Sequence, residues 1–158
     1  MSKNYSYRNL IMWQRSQELA LSVIRLTRSF PQHWANAILG RQIISSVTSI
    51  GANIAEGHGR YTPGAHRNHL SIARVSAAET DSWLDLLRRD GLISSAEELP
   101  LHNECGEITA MLTRKILDLE RLEQESQHKL RETPEHYNVI NNLDVPPFPF
   151  VPDDYQQE

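Results

Sequence analysis

Ser49-Ile50-Gly51-Ala52-Asn53-Ile54-Ala55-Glu56-Gly57-His58-Gly59-Arg60 is the stretch in which this chain departs from a generic pattern. Its first half continues an apolar helical periodicity through Val47, Ile50, Ile54 and Ala55, and Asn53 and Glu56 interrupt that periodicity near its end. Gly57 and Gly59 are expected to close the helix as C-cap residues, because glycine takes left-handed backbone angles without steric cost. Thr62 and Pro63 then read as the N-cap and first position of the next helix. A core helix, a tight turn and a new helix thus meet within a few residues.

Working outward, the chain before this corner carries a long amphipathic pattern from Tyr7 to Ser29, with Leu10, Trp13, Ala20, Val23 and Ile24 on one side, and Pro31 stops it. The second pattern runs from Ala37 to Glu56 through Ile38, Leu39, Ile43, Val47, Ile50 and Ile54. Its crowding of Ile, Val, Thr and Ser, with Gly51 inside it, gives poor intrinsic helix propensity. Such a helix persists only when packed on several sides, so it is expected to be the most buried. After the corner, Pro63 to Arg89 forms the third helix, ended by Asp90-Gly91. Ser95 and Glu98 have the spacing of a capping box for a fourth helix reaching Gln127. Four helices joined by short turns, without strand-like alternation, predict an all-α, antiparallel up-down four-helix bundle over residues 1–130.

Residues 131–158 change character. They are acidic and carry Pro134, Pro146, Pro147, Pro149 and Pro152, with Phe148 and Phe150 between them, so a proline-rich C-terminal tail is expected. The net charge of −4 hides an asymmetry along all 158 residues. Met1 to Leu92 holds 11 Lys+Arg against 6 Asp+Glu, or +5, while Ile93 to Glu158 holds 5 against 14, or −9. Ten of the eleven basic residues in the first part are arginine, the side chain suited to bidentate phosphate contact. A basic front and an acidic back fit a nucleic-acid partner, and fit equally a protein whose tail is solvated. The polar N-terminus, a single cysteine (Cys105) and the absence of a long apolar run point to a cytoplasmic protein without disulfides, cysteine zinc sites or a membrane span.

No residue set reads as catalytic. Asn53 and Glu56 lie three apart on an apolar helix with Arg60 beyond the turn, and they read as a structural polar network rather than a reaction centre. His58, His66 and His69 lack a third ligand pattern and read as exposed histidines on a basic face, so no metal and no cofactor is expected. Arg60, Arg67 and Arg74 repeat every seven residues, as do Arg8 and Arg15. That spacing serves either a phosphate-tracking stripe or a set of ion pairs within the bundle or between subunits. Gly57-His58-Gly59 is too short for a phosphate loop, and Cys105 has no activating neighbours in the sequence.

These residues also carry a resemblance. Tyr7-Arg8-Asn9-Leu10 with Trp13-Gln14, then Leu26-Thr27 with Phe30-Pro31, Gln42, the run Ser49 to Gly57 with Arg60, and Leu70-Ser71-Ile72-Ala73-Arg74 follow the motifs of one family. That family is the four-helix bundle proteins found as reading frames inside intervening sequences of bacterial 23S rRNA genes. The chain departs from it at Ile44-Ser45-Ser46, where the family often has a basic pair and an alanine, and the tail lies outside the resemblance. The family is similar in fold and assembly to the accessory variability determinant of diversity-generating retroelements.

The resemblance implies a homo-oligomer, a five-fold ring, that engages RNA or DNA, or a reverse transcriptase, without catalysis. The nucleic-acid contacts would then fall to Arg8, Arg15, Arg60, Arg67 and Arg74. An interaction module whose tail docks on a partner or neighbouring subunit is the alternative.

Overall fold

The structure, a computed structural model, describes residues 6–132. A short 3-10 helix at Tyr7–Asn9 precedes α1 (Ile11–Thr27), α2 (Trp34–His58), α3 (Pro63–Arg89) and α4 (Ser95–Glu132). No strand occurs among the described residues, and none of their helices is long and apolar enough to cross a membrane. The expected all-α four-helix bundle is what forms. The proline-rich part of the tail lies outside the described residues. A compact unit ends at Gln124, and residues 125–132 are helical, with exposed side chains at 125–129.

The first expected helix is in fact two pieces. Leu10 is extended, at φ −78° and ψ 121°, and separates the 3-10 turn from α1. Local side chains satisfy that separate turn: Ser6 Oγ accepts from the Arg8 N–H at 3.3 Å, and Gln14 Nε2 donates to the Arg8 carbonyl at 2.8 Å. Likewise α2 begins three residues before the expected Ala37. The His33 ring accepts the Ala35 N–H at 3.2 Å, and Asn36 Nδ2 donates to the Pro31 carbonyl at 3.0 Å, so the extra turn is anchored at its start.

Two cap assignments also shift. Gly59 is the C-cap of α2 as expected, but at φ −79°; neither it nor Gly57 takes left-handed angles, and Gly91 is the one glycine with positive φ. Gly57 is needed for space instead, since a Cβ there would lie 2.9 Å from His69 Cβ and 3.2 Å from the His66 carbonyl. The capping box is Ser94–Glu97, not Ser95–Glu98. Ser94 Oγ accepts the Glu97 N–H at 3.2 Å, and Glu97 Oε2 accepts the Ser94 N–H at 2.8 Å. Glu98 turns to Arg88 at 3.2 Å. As expected, Thr62 Oγ1 caps α3 by accepting the Ala65 N–H at 3.2 Å. Gly91, at φ 80°, ends α3 in a Schellman turn, with Leu92 N–H bonded to the Leu87 carbonyl at 3.0 Å and Ile93 driven into the core.

The core collects Leu19 and Val23 from α1, Ile43, Val47, Ile50 and Ile54 from α2, Leu70, Leu84 and Leu87 from α3, and Ile108, Leu112 and Ile116 from α4. The four α2 residues are fully buried, so α2 overcomes its weak propensity through packing. It packs against both α1 and α3, while α4 pairs through charged side chains with α1 (Arg15–Glu104) and α3 (Arg67–Glu120). The helices therefore follow one another around the bundle in chain order. Small residues set the α1–α2 approach: a Cβ on Gly51 would collide with Gln17 Nε2 and lie 2.9 Å from Ser16 Oγ.

Candidate functional site

A seam of hydroxyl, amide and imidazole groups runs along the α2–α3 interface. At its buried end Thr80 Oγ1 lies 3.0 Å from Ser46 Oγ and 2.8 Å from the Ser76 carbonyl. One turn on, Ser76 Oγ reaches Ser49 Oγ at 3.0 Å, and Asn53 Nδ2 donates to the Ser49 carbonyl at 2.8 Å. Asn53 Oδ1 is 3.5 Å from His69 Nδ1, and the other ring nitrogen of His69 accepts from Arg60 Nε at 3.0 Å. Arg60 closes the seam by a short charge-assisted bond to Glu56. No buried side-chain nitrogen or oxygen among the described residues lacks a partner. The seam thus joins Asn53, Glu56 and Arg60, but only its inner members are buried: the Glu56 and Arg60 side chains are 55% and 45% exposed.

The histidines were expected on an exposed basic face, and two of them instead line the inside of the corner. His69 is 15% exposed and holds the seam, and His66 packs against Gly57 and edge-on to His58 at 6.5 Å between ring centroids. Burial pushes the His66 pKa below its usual value, and the positive fields of Lys115, His58 and His69 push the same way. Among the described residues no group of three His, Cys, Asp or Glu side chains has a metal-holding arrangement. Burial raises the Cys105 thiol to about 12, with Asp81 and Glu104 adding to the shift, so the thiol stays protonated.

The five arginines singled out by spacing fall in different settings. Arg15 forms a two-point pair with Glu104, at 2.6 and 2.7 Å, which holds its guanidinium pKa above the usual range, and it also meets Glu107. Arg67 bridges Glu120 at 3.4 Å and Glu123 at 3.5 Å. Arg60 is held by Glu56 and His69. Arg8 lies in the 3-10 turn, stacked at 5.7 Å over the Tyr7 ring, so its spacing from Arg15 does not place the two on one helix face. Arg74 is exposed on α3 and has no ion pair among the described residues.

A second basic group went unnoticed in the seven-residue spacing. Arg25, Arg28 and Arg41 are all exposed at the end of the bundle where α1 turns into α2, and none forms an ion pair among the described residues. Between Leu19 and Ala55 the chain has these three arginines and no carboxylate, a signal visible in the sequence once acidic residues are mapped instead of basic ones. At the same end lies an open groove of about 560 Å³ lined by Phe30, Pro31, Trp34, Ala37, Gly40 and Ile44 and by the polar Thr27, Gln32, His33, Asn36 and Arg41. Trp34 is 72% exposed there.

Apolar side chains also remain exposed on the adjoining helices, at Ile38 of α2 and at Ile72, Val75 and Leu86 of α3. An all-α bundle with a polar α2–α3 seam and an arginine-rich end is the class of protein that emerges. Residues 8–114 match the family model of the 23S rRNA-intervening sequence proteins, and the chain belongs to that family. It is also similar to a crystal structure from Bacteroides thetaiotaomicron, that of a protein with unknown function from the S23 ribosomal protein family. The two share 31% sequence identity and a TM-score of 0.63 over 67% of this chain and 98% of that one. No curated protein matches.

Proposed function

We propose that this chain is a non-catalytic, self-associating scaffold that holds nucleic acid through arginine–phosphate contacts. The observation that carries the reading is the carboxylate-free span from Leu19 to Ala55, in which Arg25, Arg28 and Arg41 stand exposed at one end of the bundle. Arginines already held by carboxylates must give up those bonds to meet phosphate, whereas these three need not. The phosphate-facing set is therefore Arg25, Arg28 and Arg41 with Arg8 and Arg74. Arg15, Arg60 and Arg67 serve the bundle's own ion pairs.

Self-association buries the exposed apolar face of Ile38, Ile72, Val75 and Leu86, in a ring of five as the family resemblance implies. Bringing an RNA to a reverse-transcriptase-type enzyme is the role such a ring would serve.

The test is fluorescence anisotropy of a labelled single-stranded RNA, with light-scattering mass in parallel. Five phosphate contacts to a single strand predict a roughly hundredfold affinity loss between about 50 and 200 mM salt. Replacing Arg25, Arg28 and Arg41 together by Gln weakens binding by at least about tenfold, while Arg15→Gln and Arg67→Gln stay within about twofold of the parent. Absence of binding at low salt, or a triple variant that binds like the parent, defeats the reading.

A further inference from the structure

We infer that the groove between Phe30, Trp34 and Gly40 receives the proline-rich segment Val145–Asp154 of a neighbouring copy of this chain. The groove is open, about 560 Å³, and lined by Phe30, Trp34, Pro31 and apolar side chains of α2, together with the polar Thr27, Gln32, His33, Asn36 and Arg41. Leaving Trp34 72% exposed beside such a groove is costly unless something covers it. The segment Val145-Pro-Pro-Phe-Pro-Phe-Val-Pro-Asp-Asp154 supplies four prolines interleaved with Phe148 and Phe150, the composition that aromatic-lined grooves recognise.

Charge points the same way. Residues 133–158 carry Glu135, Asp144, Asp153, Asp154 and Glu158 and no Lys or Arg, while the groove is lined by Arg41 and built from the span Leu19 to Ala55, which also holds Arg25 and Arg28 and no carboxylate. The pair Asp153-Asp154, directly after the last proline, meets those guanidinium groups when Phe148 and Phe150 occupy the groove.

Twelve residues separate Glu132 from Val145, a reach of about 40 Å at full extension, long enough to cross to a neighbouring subunit. The inference rests on the self-association proposed above. Its consequence is that the tail covers the same arginines that would hold phosphate.

Two full-length chains with different tags, one with Ala37→Cys and the other with Phe148→Cys, are co-expressed, purified through both tags and mildly oxidised. Buried Cys105, its thiol raised to about 12, stays silent. The expected product is a covalent heterodimer at least tenfold above that of a control pair carrying Ala110→Cys in place of Ala37→Cys, and it declines when Arg28 and Arg41 are changed to Glu. An oligomeric mass with no excess over the control overturns the inference and leaves self-association standing. A monomeric mass overturns both. If a single-stranded RNA, and not the tail, shields the thiol introduced at position 37 from alkylation, the groove belongs to nucleic acid and the inference fails.

Discussion

Ser76 Oγ of α3 and Ser49 Oγ of α2 lie 3.0 Å apart at the middle of the polar seam, and Asn53 Nδ2 approaches the same Ser49 hydroxyl at 3.0 Å. One hydroxyl therefore ties the buried Thr80–Ser46 end of the seam to the His69–Arg60–Glu56 end. Ser49→Ala removes the shared acceptor and leaves the Ser76 hydroxyl and the Asn53 amide N–H groups with only their own helix carbonyls as acceptors. The expected cost is about 1–2 kcal/mol in urea unfolding, with the m-value unchanged. Glu56→Gln, at the exposed end, should cost less than about 0.5 kcal/mol. Equal losses for the two would show that the seam is not the stabilising feature assigned to it.

Gly51 and Gly57 both occupy buried positions in α2, yet they predict different outcomes on substitution by alanine. At Gly51 the main obstacle is the far end of the Gln17 side chain, which can swing aside, although Ser16 Oγ at 2.9 Å remains. At Gly57 the obstacles are His69 Cβ at 2.9 Å and the His66 carbonyl at 3.2 Å, and neither moves without displacing α3. Alanine contributes back about 1 kcal/mol of helix propensity at either site. Gly51→Ala is expected to fall within about 1 kcal/mol of the parent, and Gly57→Ala to cost about 2–3 kcal/mol and release the seam. Thermal melts of the two variants, compared at equal concentration, check the order.

The four helices were legible because periodicity, Pro63 and Gly91 all act locally. The misplaced details share a different cause. Adjacent Ser94-Ser95 and Glu97-Glu98 permit a capping box in either register, and only the distant Arg88 decides it by holding Glu98. A glycine needed for φ and a glycine needed for space look alike in sequence, so Gly57 read as a turn residue although its role is to admit His69 and His66. The arginine pairs hid for the same reason. Arg15 meets Glu104 from 89 positions away and Arg67 meets Glu120 from 53, beyond any local pattern. The exposed arginine group at the α1–α2 end was missed because a seven-residue repeat draws attention to spacing, and its signal is the lack of acidic residues between Leu19 and Ala55.

The corner histidine predicts a pH response with a definite sign. Burial, together with Lys115, His58 and His69, lowers the His66 pKa in the folded state, so the unfolded chain binds more protons there. Stability then rises with pH through this window and declines as pH falls below the unfolded value near 6.5. A separate loss follows at lower pH, below the ordinary carboxylate value of 4.5. There Glu97, whose pKa is held down by the Ser94 backbone and hydroxyl, becomes protonated and the α4 capping box opens. His66→Gln should flatten unfolding free energy between about pH 7 and 5.5 and leave the acid limb intact. An unchanged slope in that variant assigns the neutral-pH response elsewhere.

Arg15 and Arg67 separate two kinds of ion pair that the sequence presented as one stripe. Arg15 holds both Glu104 oxygens, at 2.6 and 2.7 Å, with about a third of each side chain exposed. Arg67 spans Glu120 and Glu123 at 3.4 and 3.5 Å, beyond a strong hydrogen bond to either. Two-point geometry and low mobility are the conditions under which a surface pair contributes measurably. A double-mutant cycle of Arg15→Gln with Glu104→Gln should therefore give a coupling of about 0.5–1 kcal/mol that shrinks with added salt. The cycle of Arg67→Gln with Glu120→Gln should fall near zero, because Glu123 remains to take up the freed guanidinium. A large coupling in the second cycle would make Arg67 the tie between α3 and α4, and a null in the first would return Arg15 to the residues open to phosphate.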